Sequence, residues 1–187
     1  MAKRRVAVLV GSLRKEAFTR RLAEALQSLQ PASLELDLIG LDMPLYNQDL
    51  ETDDPPAAWT AFRKRVAACD AVLFVSPEYN RGMPGAVKNA IDVGSRPYGK
   101  GVVNGKPCAV ASSSPGAIGG FGANQQIRQS VLFLDMPMMQ QPEIYLGQID
   151  KAIEPGGKVV NDSTKQLLEK FLAKFADWIE RNAPRAA

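Results

Sequence analysis

Ala71-Val72-Leu73-Phe74-Val75-Ser76-Pro77-Glu78-Tyr79-Asn80-Arg81-Gly82-Met83-Pro84-Gly85 is the stretch that decides the fold. Its first five residues are apolar without interruption, the pattern of a strand covered on both faces. It then breaks into polar backbone punctuated by Pro and Gly, and a helix-like segment, Ala86-Val87-Lys88-Asn89-Ala90-Ile91-Asp92, follows. Pro84 suits the first turn of that helix, where a missing N–H costs nothing. A buried strand that ends in such a loop marks the place where open α/β folds receive ligands.

Upstream, Val6-Ala7-Val8-Leu9-Val10 is a second uninterrupted apolar run and predicts the first strand. Phe18, Leu22, Ala25 and Leu29 recur behind it at helical spacing. Leu34-Glu35-Leu36-Asp37-Leu38 alternates strictly, which suits a half-exposed edge strand. A Pro- and Asp-rich loop from Met43 to Pro56 leads to a helix with a Trp59, Phe62, Val66 stripe. Downstream, residues 107–111 predict a fourth strand ending in Ser112-Ser113-Ser114-Pro115-Gly116, and a Gly-rich loop to Gly122 precedes a helix through Gln126 to Leu134. A short fifth strand is expected between Met138 and Leu146. Ser163 and Gln166 stand in capping-box spacing before a stripe of Leu167, Phe171, Phe175 and Trp178.

Strands alternating with helices imply α/β architecture, a parallel sheet covered on both faces. Right-handed crossovers and an edge position for the second strand favour the strand order 2-1-3-4-5. The first and third strands then flank the point where chain order reverses, so the loops at Gly11 and Ser76 converge.

At 187 residues, with no linker, repeat or low-complexity segment, the chain suits a single domain over 1–187. Lys+Arg 23 against Asp+Glu 20 leaves a formal net charge of +3, and the basic pairs are scattered, so nucleic acid is not an expected partner. Lys3-Arg4-Arg5 ahead of the first apolar run imitates a signal peptide, but the run is too short and no small-residue cleavage pattern follows. No stretch approaches a membrane-spanning length, and a cytoplasmic location is expected. Cys69 and Cys108 lie far apart beside apolar runs and read as buried thiols. The chain has no His, which excludes Ser–His and Cys–His nucleophiles and a His-ligated metal.

The first loop reads Gly11-Ser12-Leu13-Arg14-Lys15-Glu16-Ala17-Phe18-Thr19-Arg20. Hydroxyls on Ser12 and Thr19, the charge of Arg14 and the N–H groups of a helix start suit a phosphate monoester. It is neither a Walker A loop nor a GxGxxG loop. The plain alternative is a capped helix start. Backbone groups around Glu78, Tyr79 and Asn80 suit the edge of a flat heterocycle, with Tyr79 packing against it, the alternative being a surface turn. The loop from Ser112 to Gly116 supplies a third wall.

Taken together, GSLRKEAFTR at Gly11 to Arg20, SPEYNRGMPGAVKNAID at Ser76 to Asp92 and SSSPGAIGG at Ser112 to Gly120 resemble the NADPH-dependent FMN reductase family. That family includes flavodoxin-like quinone, azo-dye and chromate reductases. The resemblance spans essentially the whole chain and implies a flavodoxin-like three-layer sandwich. It assigns the FMN phosphate to Ser12, Arg14 and Thr19, the ribityl and ring contacts to Pro77, Glu78, Tyr79 and Asn80, and the opposite side to Ser113 and Gly116. Ala17 departs from it, standing where many relatives have Ser, and Thr19 stands where many have Asn.

The resemblance further implies a ping-pong oxidoreductase: NADPH or NADH reduces FMN, leaves, and a quinone, azo compound, chromate or free flavin replaces it. No side chain is expected to be catalytic, because the flavin carries the hydride chemistry. Arg81 is expected at the pocket mouth, attracting the NADPH phosphate or an anionic acceptor, with a solvated surface Arg as the alternative. Glu78 is expected to be structural or backbone-binding rather than a proton donor. Members of the family are dimers or tetramers, and Ile127, the run 131–134, Met136, Met138 and Met139 read as core or as subunit interface. A flavodoxin-like electron carrier that binds FMN without NAD(P)H is the alternative function. Such carriers are usually strongly acidic, whereas this chain is slightly basic.

Overall fold

The computed structural model describes residues 3–183. Strands β1 (Arg4–Val10), β2 (Leu34–Ile39), β3 (Ala71–Ser76), β4 (Cys108–Ser113) and β5 (Ile144–Leu146) form one sheet. Every neighbouring pair is parallel and the order is β2-β1-β3-β4-β5, as the patterning predicts. Around it lie α1 (Phe18–Ser28), α2 (Ala57–Ala67), α3 (Gly85–Gly94), α4 (Phe121–Leu132), α5 (Ile149–Ala152) and α6 (Asp162–Asn182).

The two-residue period of a strand explains the core. Val6, Val8 and Val10 of β1, with Leu73 and Val75 of β3, belong to the apolar layer shared with α1, α5 and α6. Their alternates, Ala7, Leu9, Val72 and Phe74, belong to the layer under α2, α3 and α4. Both faces are covered, so both must be apolar, and the strand runs are continuous. β2 pairs only with β1. Its Leu34 and Leu36 are buried, while Asp37 forms ion pairs with Arg5 and Arg65. The alternation in sequence records that edge position. Cys69 and Cys108 are buried free thiols, both pushed up from their ordinary value by burial, and so are packing residues.

Local details depart from expectation in three places. α4 begins at Phe121, more than a turn before Gln126. The preceding Gly119 and Gly120 are left-handed, with φ of 64° and 81°, and neither offers a capping side chain. α6 is capped by Asn161, whose Oδ1 accepts the Thr164 N–H at 2.8 Å, and not by the Ser163–Gln166 pair. Its buried stripe is Leu168, Phe171, Leu172, Phe175 and Ile179, so Leu167 faces outward and Trp178 is half-buried. Of the apolar region after α4, Leu132 and Phe133 are exposed, while Ile127, Val131, Leu134 and the three methionines are core. Among the described residues no helix is long and apolar enough to cross a membrane.

The Phe171 and Phe175 rings stack with centroids 6.3 Å apart in the layer beneath the sheet. Phe171→Ala should therefore destabilise the fold by about 3–5 kcal/mol. Leu167→Ala should stay within about 0.5 kcal/mol of the parent. Urea unfolding at unchanged m-value measures both, and equal costs would contradict the assigned helix phase.

Candidate active site

The loops leaving β1, β3 and β4 meet at the carboxyl-terminal edge of the sheet around a cavity of about 280 Å³. The Gly11 N–H donates to the Val75 carbonyl at 2.8 Å, so the first two loops leave the sheet side by side. Gly11 is required by that closeness: a Cβ there would stand 2.7 Å from Val87 Cγ2 and 3.1 Å from Pro77 Cδ. Ser12 Oγ and the Tyr79 hydroxyl are 3.3 Å apart, joining the first loop to the second.

Ser12, Arg14, Thr19, Pro77, Glu78, Tyr79 and Ser113 all line this cavity. Thr19 and Ser113 carry its most informative atoms. Both residues are 1% exposed, and Thr19 Oγ1 and Ser113 Oγ have no hydrogen-bond partner. A buried hydroxyl left unsatisfied costs about 1–3 kcal/mol, which asks for an explanation at the site. α1 opens on Ala17, which offers no side chain to the first N–H groups of the helix. The unpartnered Thr19 hydroxyl, the uncapped helix start and the Arg14 guanidinium fit a phosphate monoester, and the Ser113 hydroxyl offers a further polar contact to the same cavity.

Glu78 borders the cavity, yet its carboxylate serves α4. Oε2 accepts the Ala123 N–H at 3.1 Å and Oε1 accepts from Arg81 Nη1 at 2.8 Å. Ala123 lies in the first turn of α4, so Glu78 supplies from another loop the cap that Gly120 lacks. Gly122 makes room for it, since a Cβ there would lie 2.9 Å from Glu78 Oε2. Burial opposes ionisation of Glu78, but the N–H of Ala123, the guanidinium of Arg81 and the N–H of Gly122 outweigh it. The carboxyl is thereby held below its ordinary 4.5 and is no proton donor at neutral pH.

Asn80 and Arg81 are both left-handed, with φ of 50° and 62°. Tyr79 and Gly82 exchange N–H···O bonds at 3.0 and 2.9 Å around them, which makes a tight turn of the I′ kind. Neither residue lines the cavity, and the Arg81 side chain is 73% exposed in its pair with Glu78. Gly116 is also outside the lining, its N–H donated to Ser114 Oγ at 3.0 Å. Ala17, Phe18, Ser114 and Pro115 are wall residues that sequence reasoning did not single out. Ser114 and Pro115 were signalled by their place in the SSSPG loop; Phe18 was hidden by its equally good fit to the apolar face of α1.

Residues 4–151 match the family described as NADPH-dependent FMN reductase. The chain belongs to that family. This reductase is 56% identical over 178 residues to a quinone reductase of Pseudomonas putida, a match covering 95% of each chain. It is 42% identical over 176 residues to a 2-hydroxy-1,4-benzoquinone reductase of a Burkholderia species, covering 94% of this chain and 96% of the other. Among solved structures, the flavoenzyme NAD(P)H:(acceptor) oxidoreductase FerB of Paracoccus denitrificans superposes with a TM-score of 0.91 at 40% identity, over 97% of this chain and 100% of that one. A point mutant of a flavodoxin from Pseudomonas aeruginosa, 18% identical, shares the fold with a TM-score of 0.58 over 94% and 99% of the two chains. The protein is an oxidoreductase with a flavodoxin-like fold, and FMN and NAD(P)H are its cofactors.

The depressed Glu78 value has a consequence for stability. A carboxyl whose native value lies below its unfolded value contributes stability that is complete above the unfolded value and is lost as pH falls through the native one. Glu78→Gln should therefore cost most at neutral pH and nothing below the native value. Thermal melts taken from about pH 7 to about pH 3 should show a flatter acid limb in the variant than in the parent. Parallel limbs would contradict the capping role.

Proposed function

We propose that this protein, working as one unit over residues 1–187, takes electrons from NADPH or NADH and passes them to quinones. The observation that carries the reading is the pair of buried, unpartnered hydroxyls of Thr19 and Ser113 in the cavity at the strand ends. In this reading Ser12, Arg14 and Thr19 hold the FMN phosphate. Pro77 and Tyr79 hold the ribityl chain and ring edge, with Glu78 contributing its backbone, and Ser113 closes the opposite side. Asn80 and Gly116, outside the lining, are proposed to reach the ligand only where it extends beyond the cavity. FMN held there would supply the hydride chemistry, and the nicotinamide and the acceptor would occupy the same open face in turn, which is a ping-pong order. The side chains bind, orient and exclude water, and none has to exchange a proton.

Leu13, Tyr79 and Ile118 are exposed on the same three loops and Phe121 at the start of α4. That apolar rim favours flat acceptors: quinones first, then azo compounds and free flavin, with the compact chromate anion suited least. Arg81 at its loop tip is the residue proposed to draw the NADPH phosphate or an anionic acceptor. The relatives named for quinones support placing quinones first. A cytoplasmic location and a homodimer or homotetramer belong to the same proposal, with exposed Leu132, Phe133 and Tyr98 as apolar surface for self-association.

An anaerobic visible spectrum of the FMN-loaded protein tests the reading. The flavin band should bleach on adding NADPH or NADH and return on adding a quinone, and double-reciprocal plots against both substrates should give parallel lines. Bound flavin that neither nucleotide bleaches would instead make the protein an electron carrier, and a chain that binds no FMN would end the flavin assignment. Thr19→Val and Ser113→Ala should each leave the flavin-free protein as stable as the parent, or up to about 1 kcal/mol more stable. Each should weaken FMN binding by about five- to tenfold, measured by fluorescence quenching. Lost stability with unchanged FMN affinity would show that the hydroxyls serve the fold instead.

A further inference from the structure

A second cleft, of about 170 Å³, lies beside the start of α1 and shares Ala17 with the main cavity. Lys15, Arg20 and Arg21 line it, together with Glu16, Glu24 and the turn at Pro155 and Gly156. Among the described residues none of these five charged groups forms an ion pair. Arg4, Arg5, Arg63, Arg65, Arg81 and Arg128 have carboxylate partners, whereas Arg20 and Arg21, like Arg14, Arg96 and Arg181, have none among the described residues.

Arg21 is held as a binding group would be. Its guanidinium lies 4.9 Å from the centroid of the Phe18 ring, and Phe18 is itself a wall of the main cavity. Its Nε is buried and has no acceptor. A guanidinium N–H is among the costliest donors to bury unpartnered, and the fork geometry matches phosphate oxygens. The facing wall is fixed as well. Gly156 and Gly157 are left-handed, with φ of 82° and 79°, and a Cβ on Gly157 would stand 2.6 Å from the Ala25 nitrogen. The turn is therefore pressed against α1, and the next cation, Lys158, is engaged by Glu154 at 3.2 Å.

We propose that this cleft is a subsite for a second phosphate group, belonging to a dinucleotide whose other end reaches the main cavity. The inference rests on the flavin and nicotinamide reading above. Lys15, Arg20 and the Arg21 fork supply three positive charges, and the positive end of the α1 dipole adds to them. Glu16 and Glu24 oppose them, so inorganic phosphate alone binds weakly and a phosphate tethered to a bound nucleotide gains from its high effective concentration. Two sources carry this chemistry: the pyrophosphate of FAD, binding in place of FMN, and the 2′-phosphate of NADPH.

Arg20→Ala removes an exposed side chain, and Arg21→Lys keeps the charge while removing the fork, so neither should disturb folding. Fluorescence quenching gives the Kd values of FMN and FAD for the flavin-free protein, and calorimetry gives those of NADP⁺ and NAD⁺ for the FMN-loaded protein. Each variant should weaken FAD relative to FMN, or NADP⁺ relative to NAD⁺, by about fivefold or more. A change in the FAD/FMN ratio assigns the subsite to the flavin pyrophosphate; a change in the NADP⁺/NAD⁺ ratio assigns it to the 2′-phosphate. Glu24→Gln should move the same ratio the other way. If both ratios stay within about twofold of the parent in every variant, the subsite is overturned. A parent protein that binds no flavin at all would bring down the proposed function instead.

Discussion

Parallel pairing of β1 with β3 is the constraint on which the rest of the molecule depends. The register runs from Val6 opposite Ala71 to Val10 opposite Val75. Parallel neighbours cannot be joined by a hairpin, so each strand must send its chain through a helix to a further strand. β1 sends it through α1 to β2 on one side, and β3 sends it through α3 to β4 on the other. The two departing chains leave a gap at the strand ends that neither helix covers. Slipping β3 by one residue against β1 would exchange its two faces, setting Phe74 where Leu73 and Val75 pack.

The places where local rules fail collect around that gap. α1 lacks a capping side chain, two hydroxyls are buried without partners, and Asn80 and Arg81 hold backbone angles that glycine would adopt more cheaply. Elsewhere the layers alternate, α6 is capped and the edge strand is ion-paired. The uncapped start of α2 and the left-handed Asp135 and Gln148 leave no buried hydroxyl without a partner among the described residues. Unsatisfied hydroxyls gathered at one edge of an otherwise well-packed sheet are the physical form a ligand site takes before the ligand arrives.

Much of this was legible in the sequence because it follows from short-range pattern. Continuous apolar runs at Val6–Val10 and Ala71–Val75 told of strands covered twice, and the alternation at Leu34–Leu38 told of an edge. Strand order then brought Ser12, Thr19, Tyr79 and Ser113 to one cavity without any knowledge of side-chain geometry. What escaped were choices made by distant partners. The start of α4 depends on a carboxylate 45 residues before Ala123 in the chain, which no local propensity encodes. At α6, Asn161 and Ser163 are both good caps by residue type; the phase that buries Phe171 and Phe175 decides between them.

The Glu78 cap also ties two segments into one unit of motion. The loop at 78–83 is fastened to α4 by the Glu78–Ala123 bond and by the Met83 N–H donated to Gln126 Oε1 at 2.9 Å. When the first turn of the helix frays, the loop loses its anchors, and when the loop lifts, the helix loses its cap. Opening of the cavity wall and fraying of α4 are thus a single cooperative event with one free energy, and amide protons at Met83 and Ala123 should exchange with solvent at matched rates.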